Sequence, residues 1–427
     1  MKARLKIIKP PPGNCINHNL YTMAIIAHSF RQLLLGISFF CFISANANEL
    51  PCRPLVSPVK VIPGASRMRD YLYIISGKRV GIVGNQTSLV GTTHLVDTLL
   101  AVKVNIVKIF GPEHGFRGIA ADGTLIGNAI DPATGIEVIS LYGEHKKPTP
   151  DDLKGIDVML FDVQDVGTRF YTYVSTLTFV MEACAENKVP LIILDRPNPN
   201  GYYIDGPVLD STYSSFIGLH PVPIVYGMTL GEYALMVNGE RWLKNGVKCE
   251  LKIITCRNYT HDTRYQLPVK PSPNLPNMYS VYLYPSLCLF EGTVVSVGRG
   301  TDHPFEIIGH PDYETGPYVF TPKSIKGVSD KPIYAGKQCF GLYLSENAMR
   351  IRQNGQIDLT WIIEMYKALN LNDQFFNSYF DKLAGNSDLR NQIMQGMDAM
   401  DIRSSWQMDL LKFKKTRNKY LLYPDNQ

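Results

Sequence analysis

Between residues 79 and 198 one arrangement recurs: a short, nearly unbroken apolar run that opens into a cluster of polar residues. "RVGIVGN" (79–85), "VNIVKIFG" (104–111), "IEVISLYG" (136–143), "DVMLFDVQD" (157–165) and "VPLIILDRPN" (189–198) all follow it. An antiparallel strand with one wet face alternates apolar and polar residues, whereas a strand covered on both faces reads as a continuous apolar run. Segments with helical spacing, "THLVDTLLAV" (93–102) and "TLTFVMEACAENK" (176–188), lie between some of these runs. Strands buried on both faces and separated by helices predict a parallel α/β sheet.

Such a sheet binds ligands outside the carboxyl ends of its strands, and the polar clusters fall at those ends. "NQTS" (85–88) follows the first run, "GPEHGFRG" (111–118) the second, "DVQDVGTRFYTY" (162–173) the fourth and "DRPNPNGYYIDGP" (195–207) the fifth. No G-x-G-x-x-G follows the first strand and no Walker lysine motif occurs, so neither a dinucleotide nor a nucleotide cofactor is expected, and the site reads as cofactor-free. The G-x-S-x-G elbow of a serine hydrolase is missing too. What remains is carboxylates, amides, arginines and aromatics. Glu113 sits in a turn built by Pro112, Gly111 and Gly115, while Asp162, Asp165 and Asp195 stand at neighbouring strand ends. Paired carboxylates across a sugar are the apparatus of glycoside hydrolysis, and Glu113, Asp162 and Asp165 are the catalytic candidates. Tyr171, Tyr173, Tyr202 and Tyr226 offer flat faces with a hydrogen-bonding edge for sugar rings. Arg169, Arg196 and Arg299 offer bidentate contacts to an anionic substituent. Asn85, His114, Asp195, Asn198, Asn274, Asp302 and His303 complete the substrate-binding candidates. Each aspartate also reads as a helix cap or loop acceptor, and Asp165 with Arg169 as a plain ion pair. His114 has no second histidine at metal-ligand spacing, so no metal is expected.

With 427 residues the chain is long enough for two domains. The Pro- and Asn-rich "PVKPSPNLPN" (268–277) marks a boundary, dividing a domain over 48–270, which holds the strand-end polar clusters, from a smaller α+β domain over 271–427. "TLGEYALMVNGERWLK" (229–244) reads as a helix, and "CELKIITC" (249–256) as a strand. Strands with loops are expected over 292–311 and 337–345, and helices over 358–370, 374–395 and 403–416. At the other end, "LLLGISFFCFIS" (33–44), preceded by Arg31 and followed by "ANA" (45–47), has the length and flanks of a signal peptide. Residues 1–47 are therefore expected to be removed, with Met23 a possible start, and the mature protein to be periplasmic or secreted without stable membrane insertion. None of the six remaining cysteines forms a C-x-x-C, and Cys184 and Cys288 lie in apolar stretches that suit core thiols. The net charge of +5 is spread along the chain, which argues against nucleic acid as a partner.

"VGIVGNQTS", "IFGPEHGFRG", "DVQDVGTRFYTY", "LDRPNPNG", "HPVPIVYGMTLGEYA", "PSPNLPN", "YPSLCLFEGT" and "VSVGRGTDHPFEIIG" occur in one order from about residue 80 to 309. In these the chain resembles the family once labelled domain of unknown function 1343, now associated with exo-acting β-N-acetylmuramidases (glycoside hydrolase family 171). The resemblance implies a Rossmann-like domain carrying the site, with a smaller C-terminal domain closing over it. It implies release of N-acetylmuramic acid from the non-reducing end of peptidoglycan fragments during cell-wall turnover and recycling, with Glu113 as acid/base. The arginines then acquire a purpose, because the muramyl lactyl ether carries a carboxylate. Two other readings of the same residues stand beside this one: a non-catalytic muropeptide- or glycan-binding protein, and a metal-dependent hydrolase using His114 and Asp162.

Overall fold

The main sheet has seven strands: β1 (Arg79–Gly84), β2 (Asn105–Gly111), β3 (Ala129–Ile130), β4 (Glu137–Ser140), β5 (Val158–Asp162), β6 (Leu191–Leu194) and β7 (Leu251–Ile254). They lie in the order β3-β4-β2-β1-β5-β6-β7, all parallel except β3, which runs antiparallel to β4 at the edge. These relations come from a computed structural model that describes residues 60–117 and 129–425. The signal-peptide reading of residues 1–47 lies outside the described residues, as does Cys52, one of the six cysteines beyond it. Leaving out β3, the chain winds outward from β1 through β2 to β4, then returns to the centre and winds the other way through β5, β6 and β7. That is the doubly wound topology, with its switch point between β1 and β5.

The apolar runs are continuous because the two faces of the sheet feed two separate cores. Along β5, Val158 and Leu160 pack on one side, with Val80 and Ile82 of β1 and with Leu95, Val96 and Leu99 of helix α1 (Leu95–Ala101). Met159 and Phe161 point the other way, toward Val174, Leu177 and Met181 of helix α2 (Tyr173–Glu186). The period of two along a strand thus delivers Val158 to Phe161 alternately to one core or the other, and all five residues of β5 are buried. Helix α3 (Leu230–Gly239) opens with a capping box between Thr229 and Glu232.

Beyond β7 the chain builds a smaller α+β half. Helix α4 (Met278–Leu287), capped by Asn277, leads to a three-stranded antiparallel sheet of β8 (Ile307–His310), β9 (Tyr318–Phe320) and β10 (Cys339–Tyr343) in the order β8-β10-β9. The strand expected over 292–311 is confined to β8; Ser296 reaches Gly309 only through an isolated bridge. The single helix expected over 374–395 is two, Phe380–Ala384 and Asp388–Met394, broken where Gly385 takes a φ of +87°. A side chain is strained at that φ, and a Cβ there would also meet Nη2 of Arg169 at 2.6 Å.

The two halves belong to one compact unit and are stitched together at depth. After the last helix (Gln407–Arg417) the chain returns to the first half. Tyr423 donates its hydroxyl to Asp195 at the end of β6 (2.6 Å) and accepts from the Cys256 amide (2.9 Å). The amide of Leu422 bonds the buried Glu232 carboxylate (2.8 Å), and Arg417 bonds the Gly227 carbonyl (2.9 Å). Cys184, Cys249, Cys256, Cys288 and Cys339 are buried free thiols. No helix among the described residues is long and apolar enough to cross a membrane.

Candidate active site

At the carboxyl end of β2 the chain makes a tight turn, with the Gly115 amide on the Pro112 carbonyl (2.9 Å) and positive φ at His114 and Gly115. Glu113 projects from this turn, one strand over from the switch point. Its Oε2 accepts a hydrogen bond from the Thr172 hydroxyl (2.7 Å), and its backbone carbonyl from the Tyr173 hydroxyl (3.4 Å). Asn85, at the end of β1, donates to that same tyrosine oxygen (2.9 Å) and accepts from the Thr87 amide (3.0 Å). Thr87 in turn accepts from the Gln164 amide beyond β5 (2.9 Å). The carboxylate is therefore carried by loops from three adjacent strands, each bonded to the next.

Glu113 lines a cavity of about 310 Å³ between the two halves. The first half contributes His114, Tyr142, Phe170, Tyr171, Thr172 and Tyr173; the second adds Ser272, Asn274, Tyr284, Glu291, Arg299, Phe305 and Tyr379. One wall is aromatic: Tyr284 meets Phe170 edge to face at 5.3 Å and Phe305 at 4.9 Å between centroids. Tyr171 is anchored by its hydroxyl to the Pro271 carbonyl (2.9 Å), and burial pushes that hydroxyl well above the usual phenol range. From the second half, Arg299 donates from Nε to Glu291 Oε1 at 2.7 Å, with its guanidinium 5.0 Å from the Phe305 ring centre. Glu291 and Glu113 are the carboxylates on this cavity among the described residues.

Of the residues picked from sequence, Glu113, His114, Tyr171, Tyr173, Asn274 and Arg299 line the cavity together. The others do not, and the structure corrects their roles. Asp162, read as catalytic, is fully buried and gives both carboxylate oxygens to Arg196 (2.6 and 2.8 Å). Burial alone lowers the affinity of Arg196 for its proton, but the Asp162 charge beside it outweighs that and holds the guanidinium above its ordinary range. Asp165, also read as catalytic, accepts from the Gly167 amide and the Tyr226 hydroxyl; burial raises its carboxyl to about 7. Neither the Asp165–Arg169 ion pair nor a cleft-facing Arg169 is found. Arg169 is fully buried and donates to four backbone carbonyls, Pro207, Val222, Leu383 and Ala384.

Asp195 caps the α3 region through Thr229 and the Gly231 amide and holds Tyr423, with burial raising it to about 6. Asn198 shapes its own turn, donating to the Met228 carbonyl and accepting from the Asn200 amide. Tyr226 is buried on Asp165, and Asn85 supports Tyr173 from beneath. Asp302 is exposed, and His303 packs edge to face on Tyr343 at 5.2 Å; neither lines the cavity. Among the described residues no three of His, Cys, Asp and Glu converge as metal ligands would, and Asp162 is committed to Arg196.

The dense cluster after β5 thus does two jobs. Asp162, Gln164, Asp165 and Arg169 tie the strand-end loops together, and the following Tyr171-Thr172-Tyr173 reaches the cavity. Thr172 and Glu291 were missed from sequence. The signal for Glu291 is a single charge in the otherwise apolar "LCLFEG" (287–292), where an ionised group needs a reason to be.

Two family models match the chain: exo-beta-N-acetylmuramidase NamZ, N-terminal, over residues 80–279, and exo-beta-N-acetylmuramidase NamZ, C-terminal, over 282–423. The chain is 38% identical over 375 residues to the peptidoglycan beta-N-acetylmuramidase NamZ of Bacillus subtilis (strain 168), covering 83% of this chain and 89% of that protein. It is also similar to two crystal structures of DUF1343 family proteins from Bacteroides fragilis NCTC 9343. One has a TM-score of 0.80 and 48% identity, covering 86% of this chain and all of that one. The other has a TM-score of 0.70 and 29% identity, covering 85% and 99%.

Proposed function

The chain belongs to the exo-beta-N-acetylmuramidase NamZ family, and from that premise we propose how its cavity does the work of a glycoside hydrolase that releases N-acetylmuramic acid. Glu113 is the acid/base. It gives its proton to the glycosidic oxygen as the bond from that oxygen to the anomeric carbon opens, and water then adds to that carbon while its released proton restores the acid. The observation that carries this is the placement of Glu113: it stands beside the switch point, on the cavity, with one oxygen oriented by the Thr172 hydroxyl at 2.7 Å. A positioned acid of this kind is typically worth on the order of 10²–10⁴ in rate.

Arg299 meets the lactyl carboxylate. Of the three arginines considered for that task, it alone lines the cavity, whereas Arg169 and Arg196 are spent on carbonyls and on Asp162. The aromatic wall of Tyr284, Phe170 and Phe305 suits the apolar face of a hexosamine ring. The substrates are peptidoglycan-derived saccharides or muropeptides. Export to the periplasm or beyond is supported by the apolar run over 33–44 and the "ANA" that follows it.

The test is incubation of the purified protein with a chromogenic β-N-acetylmuraminide and its N-acetylglucosaminide counterpart. Turnover of the first is expected, and Glu113→Gln, which keeps the shape and loses the transferable proton, is expected to lose about 10²–10⁴ in kcat while folding as before. Binding of N-acetylmuramic acid without turnover of the muraminide would instead support the non-catalytic glycan-binding reading. A Glu113→Gln protein with near-native rate would remove Glu113 from the mechanism.

A further inference from the structure

We infer that Glu291 is the second working carboxylate of the cavity, acting on the anomeric centre alongside Glu113; this rests on the hydrolase reading above. Glycoside hydrolysis passes through a cation-like transition state in which positive charge spreads over the anomeric carbon and ring oxygen, and enzymes ordinarily meet it with a carboxylate facing the acid. Among the described residues, Glu291 is the carboxylate that lines the cavity besides Glu113, and it comes from the other half of the molecule. Asp162, Asp165 and Asp195 are tied up in the scaffold.

The surroundings of Glu291 are those of a group held for use. It belongs to a 3₁₀ turn, Cys288–Gly292, that follows α4, and Gly292 is pressed so closely on Phe380 that a Cβ would lie 2.4 Å from the Phe380 Cα. The Asn377 side chain donates to the Glu291 backbone carbonyl at 3.2 Å. Both carboxylate oxygens are engaged: Oε1 by Arg299 Nε at 2.7 Å, and Oε2 by the Cys288 thiol at 3.5 Å. Arg299 is itself fixed between Gly298 and Gly300, both at positive φ, where a Cβ would strike the His303 carbonyl at 2.7 Å and the Lys323 carbonyl at 2.4 Å. The Glu291 side chain nevertheless keeps a 23% exposure and lines the cavity.

Electrostatics makes the same point. A carboxylate on the wall of a site that takes an anionic sugar repels its ligand in the ground state. Such a cost is useful only where the same charge is repaid as the sugar turns cationic, which is the condition for a catalytic rather than a binding contact. A glutamate that served only to hold Arg299 against the lactyl group would act in the opposite sense, improving binding.

The two roles separate by experiment. Glu291→Gln should lose about 10²–10³ in kcat, as removal of one preorganised electrostatic partner typically does. The loss should persist on a dinitrophenyl muraminide, whose leaving group needs no proton and on which Glu113→Gln recovers. Calorimetric affinity of Glu291→Gln for free N-acetylmuramic acid should be unchanged or tighter, because a like charge has been removed. Glu291→Asp keeps the charge but withdraws it by one methylene; it should lose rate too, and it carries the test if the glutamine variant does not fold. A kcat close to native in the folded variants, or weaker binding of N-acetylmuramic acid whatever the rate, overturns the inference and leaves Glu291 as a support for Arg299. Absence of muraminidase activity in the unaltered protein would instead strike the hydrolase reading itself.

Discussion

Replacing Arg169 by alanine tests the correction that removes this residue from the cleft. Its guanidinium donates to the carbonyls of Pro207 (2.9 Å), Val222 (2.7 Å), Leu383 (2.8 Å) and Ala384 (2.7 Å), in full burial. Two of those acceptors lie in the sheet half and two in the helix Phe380–Ala384 of the other half. Burial without a neighbouring carboxylate pulls the guanidinium down to about 9, still charged at neutral pH, so its hold on the carbonyls is charge-assisted. Alanine leaves the carbonyls facing a void. A buried acceptor that loses its partner costs about 1–3 kcal/mol. The Val222 carbonyl keeps a second donor in the Leu209 amide (3.1 Å), so the lower end of that range applies there. For the four together the loss is on the order of 4–10 kcal/mol, before any cavity term. Total stability of a domain is about 5–15 kcal/mol, so Arg169→Ala should be marginal or unfolded at 37 °C. Urea unfolding followed by tryptophan fluorescence measures this directly, with Arg169→Lys, which brings three donors in place of five, expected to fall between. A loss below about 1 kcal/mol, or full stability with lost muraminidase activity, would refute the reasoning and return Arg169 to the substrate.

Two further outcomes are expected. Asp165 titrates near 7 when folded and near 3.8 when unfolded, so the folded state binds the extra proton between those values. Its contribution is therefore fully present below about pH 4 and is lost as pH rises through 7, and Asp165→Asn should flatten that part of the urea midpoint's pH profile; an unchanged slope would refute it. Arg299→Ala should weaken binding of N-acetylmuramic acid by roughly ten- to a hundredfold, from the loss of a charge-assisted contact of about 1.5–3 kcal/mol, while N-acetylglucosamine binding changes little; parallel losses in calorimetry would assign the arginine to Glu291 alone.

The parallel sheet was legible because burial on both faces leaves a mark that no half-wet strand shares, and Val158 to Phe161 carry it without interruption. Its order was not, since nothing local in Glu137–Ser140 says that it pairs with β2 rather than with β5. The helix over 374–395 was misread because Gly385, which caps the first of its two helices in the left-handed conformation with its amide on the Asp381 carbonyl, was passed over as a stop signal. At the site, Glu113 stood out through a turn that admits few purposes. Asp162 and Arg196 looked the same in sequence as cleft residues would, because a charge at a strand end gives no hint of a partner 34 residues away. Glu291 escaped for the converse reason: it follows Leu287, Cys288, Leu289 and Phe290, a stretch that suits a core.

The return of the chain to Asp195 bears on when this protein can fold. Glu232 and Asp195 are buried carboxylates of the first half whose partners include Leu422 and Tyr423, nearly two hundred residues and more further on. Until those residues have left the ribosome, the floor beneath β6 and β7 is open and two buried acids lack part of their hydrogen-bonding shell. The first half is thus poorly suited to close on its own while synthesis continues, and the nascent chain remains pliable until its final turns arrive.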